Sequence, residues 1–196
     1  MTYNRIIPSV QDEGKYMFDI YSRLLKERII FVQGVIESSM ADDIVAQLLF
    51  LEAESEDPIH LYIDSPGGSV IAGLKVIDCM NYIKPKVGTL ATGMAASMGF
   101  AILSSGERGM RMALPNAQLM AHRVSSGCRG VIQDMEVSFD HSKKLDTLLA
   151  DMISNNVGMN KDKYLKLVDR DLWMTSAEAV KFGKHGVVDK VISKRP

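Results

Sequence analysis

Apolar positions recur along this chain in two alternating rhythms. Short β-branched runs take turns with longer stretches spaced by three and four, and that alternation predicts a layered α/β fold. Residues 29–32, 59–63, 86–91, 110–113, 118–121 and 187–192 read as strands. Between them, residues 19–25 predict a short helix. Met40, Ile44, Val45, Leu48, Leu49 and Leu51 cover a wide face of a helix capped by Ser38 or Ser39, and predict that it is buried. Val70, Ile71, Leu74, Ile77 and Met80 form the next helical stripe, and 98–103 another. Gly34 predicts a turn, and Ser65-Pro66-Gly67-Gly68-Ser69 a tight turn that joins a strand to its helix.

Residues 131–155 contain neither Pro nor Gly and carry Ile132, Met135, Phe139, Leu145, Leu149 and Met152 at helical spacing. The helix they predict is roughly 38 Å long at 1.5 Å per residue. A domain of this size does not need such a helix for its own core, so part of its stripe is expected to face another subunit. Asn160 caps a helix over 161–168. Thr175 with Glu178 forms a capping box for a last helix stopped by Gly183. Residues up to about Gly14 show no periodicity and read as an arm that only a neighbour would order.

At 196 residues the chain suits a single domain. Its 46% hydrophobic and 24% charged content, with a net charge of −1, leaves no basic footprint for nucleic acid. No run approaches a membrane span, and the first ten residues lack the apolar core of a secretory signal, so a cytoplasmic location is expected. Cys79 and Cys128 stand too far apart for a zinc ribbon or a disulfide framework, and nothing predicts a metal or a cofactor. Gly68 and Gly73 bracket four residues, but Leu74 occupies the place where a phosphate-binding loop needs Lys. No ATP site is expected.

The candidate chemistry centres on Gly93-Met94-Ala95-Ala96-Ser97-Met98-Gly99. Ser97 falls where an apolar strand passes into a helix whose first N–H groups lack intrahelical partners and favour developing negative charge. A serine there also serves as a plain N-cap, and the sequence leaves both readings open. Of four histidines, His122 ends an apolar strand just as the chain turns polar, whereas His60 lies inside a strand, His141 on the long helix and His185 in a Gly-flanked turn. Asp171 is the acid best placed, leading into Leu172 and Trp173, beside which its carboxylate is expected to be buried. In a triad His122 would take the Ser97 proton and Asp171 would orient the imidazole. The Gly67-Gly68 backbone would bring N–H groups close to a ligand and complete an oxyanion hole.

The segments Tyr21-Ser22-Arg23-Leu24-Leu25-Lys26-Glu27-Arg28, Ser65-Pro66-Gly67-Gly68, Ala95-Ala96-Ser97-Met98-Gly99, Leu114-Pro115-Asn116, and Asp169-Arg170-Asp171 with Ala177-Glu178-Ala179 together resemble the proteolytic subunit of the Clp protease. The likeness runs from about Phe18 to Ile192. It implies a crotonase-like ClpP fold, a layered head with a protruding helix and strand handle over about 123–155 and an axial arm over 1–17. It implies a serine peptidase of two stacked seven-membered rings, homomeric or mixed with a second paralogue, fed with unfolded chains by a Clp-type AAA+ ATPase. By position it makes Ser97 the nucleophile, His122 the base and Asp171 the orienting acid, with the N–H groups of Gly68 and Met98 as oxyanion hole. Leu48, His60, Tyr62 and Tyr82 fall on the cleft that docks the ATPase.

Several positions depart from that family. Arg123-Val124-Ser125-Ser126-Gly127 replaces a Gln-Pro-x-Gly-Gly run in the segment that lines the substrate groove and leads into the ring-to-ring strand, where Cys128 would sit. A charged Arg beside His122 disfavours protonation of the imidazole. Val131 replaces a Gln at the start of the handle, and His60 an aromatic of the docking cleft. Two alternatives follow: a structural ring subunit that depends on a companion, and an acyl-CoA enzyme on the related crotonase fold.

Overall fold

The computed structural model describes residues 7–11, 17–127 and 129–195. Cys128 and most of the expected arm lie outside these. What is described of the arm is a small antiparallel pair, β1 (Ser9–Gln11) with β2 (Met17–Asp19), rather than an unpaired loop. Asp19 then caps α1 (Ile20–Leu25), its carboxylate accepting from the Tyr21 and Ser22 amides.

The body is a mostly parallel sheet with strand order β3 (Ile29–Ile36), β4 (Ile59–Gly68), β5 (Val87–Ala96), β6 (Arg111–Ala113) and β9 (Lys190–Val191). Along β4 burial alternates: Ile59, Leu61 and Ile63 are buried, whereas His60, Tyr62 and Asp64 are not. This period of two marks a sheet covered on one face and open on the other. α2 (Ser38–Glu54), α3 (Val70–Tyr82) and α4 (Met98–Ser104) pack with the sheet and build the core. The expected wide buried face of α2 is narrower than its apolar content implies, because Leu49 and Phe50 are exposed while Ala41, Ile44, Leu48 and Leu51 are buried.

Two turns expected from glycine and one expected strand behave otherwise. Gly34, at φ +82°, does not end β3: it stands opposite Ser65 and Pro66, a bulge in β4, after which Val35 and Ile36 pair with Gly67 and Gly68. Ser65-Pro66-Gly67-Gly68 therefore continues β4 instead of turning. Buried Ser65 stitches the two irregular strands together, donating to the Gly34 carbonyl at 2.6 Å and accepting from the Gly67 amide at 3.0 Å. The strand expected over 187–192 shrinks to Lys190–Val191, because Val187 and Val188 are buried under the preceding helix α7 (Ser176–Val180).

β5 changes neighbours halfway: Thr89–Ala91 pair with β6, and Met94–Ala96 pair with β7 (Gln118–Ala121). β8 (Leu172–Thr175) adds to β7 antiparallel. The long helix is present as α5 (Ile132–Val157). Its C-terminal turns bury Ala150, Ile153 and Val157, while Val131, Ile132, Val137 and Phe139 at the other end are exposed. Residues 122–127 form no strand in this single chain. α6 (Lys161–Leu167) is capped by Asn160, and Thr175 and Glu178 make the expected capping box on α7.

Sequence reading missed Arg111, which is only 1% exposed yet charged. It pairs with Asp189 at 2.7 Å and donates to the carbonyls of His185 and Gly186. A buried guanidinium needs such an array of acceptors, and here it ties β6 to the chain returning beneath α7.

Candidate active site

Strand register assembles the site. Ala96 lies opposite Met120 and Ala121 opposite Leu172, so the residues that leave the ends of β5 and β7 and enter β8 meet at one edge. These are Ser97, His122 and Asp171.

Ser97 adopts φ +54° and ψ −117°, a conformation that L-residues hold at a cost of about 1–3 kcal/mol when the surroundings enforce it. Its amide donates to the Met120 carbonyl at 2.8 Å and its carbonyl accepts from Ala101 at 3.1 Å. The Ser97 hydroxyl makes no capping bond to α4; its Oγ lies 2.8 Å from His122 Nε2. That decides against the N-cap reading. His122 Nδ1 in turn lies 3.3 Å from Asp171 Oδ1, longer than a tight charge-assisted hydrogen bond. The Asp171 side chain is 61% exposed in the single chain, and Trp173 is exposed as well, so the expected burial of this carboxylate is not found. β8 is an edge strand, and among the described residues no further strand covers it.

Gly68 and Met98 line one pocket with Ser97 and His122, and Val70, Leu149, Ile153, Leu165 and Val168 give it an apolar wall. Gly67 abuts the nucleophile itself: a Cβ there would lie 2.6 Å from Ser97 Cβ and 2.9 Å from the Met98 amide nitrogen. Absence of a side chain at 67 is thus a condition of the geometry. α5 and α6 also bring Asp146 and Tyr164 to this pocket. The clue in the sequence was a carboxylate at 146 set among the apolar positions 145, 149 and 152. Burial first, then the neighbouring Asp146 carboxylate, pushes the Tyr164 phenol well above its ordinary value, so it stays protonated. Arg123 does not turn its charge on His122 as expected from adjacency; its guanidinium binds Asp146.

The four residues expected at a docking cleft are not gathered in one place. His60 and Tyr62 line a groove on the open face of the sheet with Phe31, Leu90, Met112 and Ile192. Burial, with Arg195 nearby, holds the His60 imidazole below its ordinary value. Leu48 has no exposed surface, packed in the core on the other face, and Tyr82 is 80% exposed at the end of α3, outside the groove.

A model of the Clp protease family matches residues 12–195. The chain belongs to the Clp protease family. A Clp protease is in general a serine peptidase that works as an oligomer with AAA+ ATPases. The match covers every element from β2 to β9, including all residues of the pocket described above. No helix among the described residues is long and apolar enough to cross a membrane, and no cluster of metal-binding side chains occurs among them.

Proposed function

We propose that this Clp protease is a serine endopeptidase in which Ser97 is the nucleophile, His122 the general base and Asp171 the group that orients the imidazole. The observation that carries this reading is the 2.8 Å contact of Ser97 Oγ with His122 Nε2, made by a hydroxyl released from any capping role. Oγ attacks the peptide carbonyl carbon as its proton passes to Nε2. The resulting imidazolium faces the Asp171 carboxylate through Nδ1–H, which lowers the cost of forming that cation. Negative charge gathers on the carbonyl oxygen, and the N–H groups of Gly68 and Met98 are its donors. His122 then returns the proton to the leaving amine, and water repeats the sequence on the acyl-enzyme. The apolar wall of the pocket takes a substrate side chain.

In this reading the exposed apolar end of α5 packs against a second ring, so that two stacked seven-membered rings enclose the sites. The groove around His60 and Tyr62 receives an apolar segment of the AAA+ ATPase, which delivers unfolded polypeptide. A second reading draws on the exposed Asp171 and the loose 3.3 Å pair: a ring subunit whose triad tightens only beside a companion chain.

Intact-mass spectrometry after treatment with a fluorophosphonate tests both readings. One adduct on the wild type and none on Ser97→Ala, with peptide hydrolysis reduced at least ~10⁴-fold in the variant, is the expected result. An unlabelled wild type that becomes labelled only with a companion subunit supports the second reading instead.

A further inference from the structure

The chain immediately after His122 has no ladder to hold it. Residues 122–127 join neither helix nor strand, yet His122 must keep its ring within 2.8 Å of Ser97 Oγ. Side chains of α5 hold the segment, chief among them one carboxylate. Asp146 accepts from the Val124 amide at 3.0 Å and from Arg123 Nε at 2.9 and 3.1 Å, and Arg123 Nη2 also donates to it. One helical turn earlier, Ser142 Oγ reaches Ser126 Oγ at 2.9 Å. The segment is therefore stitched to α5 at two points.

Asp146 is also part of the pocket wall, with its side chain only 17% exposed and apolar Leu149, Ala150 and Tyr164 around the same cavity. Burial alone would raise its carboxyl, but the Arg123 and Val124 hydrogen bonds bring it below its ordinary value, so it is ionised. A lone carboxylate there would make the cavity attractive to cations. Paired with Arg123, it is matched in charge.

We propose that Arg123 and Asp146 form a positioning clamp that fixes the chain beyond His122 against α5 and, by charge cancellation, keeps the adjoining pocket selective for apolar side chains. The proposal rests on the serine peptidase reading above. Neither residue touches the reacting atoms. Both act through the placement of His122 and the field in the pocket, where a displacement of about 1 Å corresponds to about a hundredfold in rate.

The test is a double-mutant cycle of Arg123→Ala and Asp146→Ala on the full-length chain, read by the rate of fluorophosphonate labelling of Ser97 and by kcat and KM for peptides with Leu or Lys before the scissile bond. Each single variant is expected to slow labelling about tenfold, and the double variant to be no slower than the worse single. Arg123→Ala is expected to raise the Lys to Leu ratio of kcat/KM about tenfold, and the double variant to return it to the wild-type value. A purely structural role would not move that ratio. Labelling within twofold of wild type, additive losses, or an unchanged ratio in Arg123→Ala overturns the clamp. Asp146→Asn keeps the shape and the Val124 bond, and is judged by the same labelling criterion if the alanine variants do not fold. Amide exchange at Val124 gives an answer independent of catalysis: protection falls in Asp146→Ala if the clamp exists, and equal protection refutes it. A wild-type chain that never labels refutes the peptidase reading, while the exchange result still decides the clamp.

Discussion

Gly67→Ala places a methyl group where the site has no room. The added Cβ would stand 2.6 Å from Ser97 Cβ, 2.8 Å from the Ala96 carbonyl oxygen and 2.9 Å from the Met98 amide nitrogen. Carbon atoms in contact settle near 3.6 Å, so Ser97 must retreat by about 1 Å, and two of the three obstructing atoms are backbone that cannot swing aside. A displacement of that size costs about a hundredfold in rate, or about 2.7 kcal/mol of transition-state stabilisation. Separately, alanine at φ +95° costs about 1–2 kcal/mol of folding stability, which lowers Tm by about 2–8 °C in a chain of this length. Gly109 separates the two effects. Its φ is +87°, and nothing lies within 4 Å of a Cβ built on it, so Gly109→Ala carries the backbone strain without the clash. Fluorophosphonate labelling and scanning calorimetry on both variants should give a loss of Tm in each, larger in Gly67→Ala where the clash adds to the strain, and a loss of labelling in Gly67→Ala alone. Normal labelling in Gly67→Ala would refute the reasoning, as would an equal loss in Gly109→Ala.

Two further predictions concern stability. Burial would raise the Asp189 carboxyl, but hydrogen bonds from the Arg111 side chain and from the Arg111 and Gly109 amides outweigh it and hold it below its ordinary value. The folded chain thus binds this proton less tightly than the unfolded chain. Its contribution to stability is complete above the unfolded value, about pH 4, and disappears as pH falls through the lowered folded value. Asp189→Asn should flatten the acid limb of Tm against pH, and an unchanged limb would count against that assignment. Thr175→Ala removes the side-chain half of the capping box on α7, the Oγ1 that accepts from the Glu178 amide and donates to its carboxylate, leaves the Thr175 amide bonded to Glu178, and should cost about 0.5–2 kcal/mol by urea unfolding; a loss below about 0.3 kcal/mol would mean that the Thr175 hydroxyl does not help to hold α7.

The α5 helix was legible because 25 residues without a breaker repeat one apolar spacing, and the caps at Asn160 and Thr175 because capping chemistry is local. Ser97 and His122 were legible as ends of apolar runs. What brings them together was not, since the ladder of β7 with β5 and β8 depends on partners far along the chain. Glycine announced special backbone at 34, 67 and 68 without saying whether the chain would turn or bulge, and there the parallel pairing of β3 with β4 won. The Arg111 array and the Arg123–Asp146 pair were hidden for a related reason: a charged residue reads as solvated until the fold supplies its acceptors.

The change of partner along β5 has a mechanical meaning. Its first half belongs to a branch with β6 and β9 that borders the groove, its second half to a branch with β7 and β8 that ends at His122 and Asp171. Between the halves lie Thr92 and Gly93, where the ladder is interrupted and side chains take over: Thr92 Oγ1 donates to the Ile63 carbonyl, and Asp64 accepts from the Met94 amide. The sheet thus carries a seam. Twisting one branch against the other turns β5 about its own length, and Ser97 sits at the end of that axle.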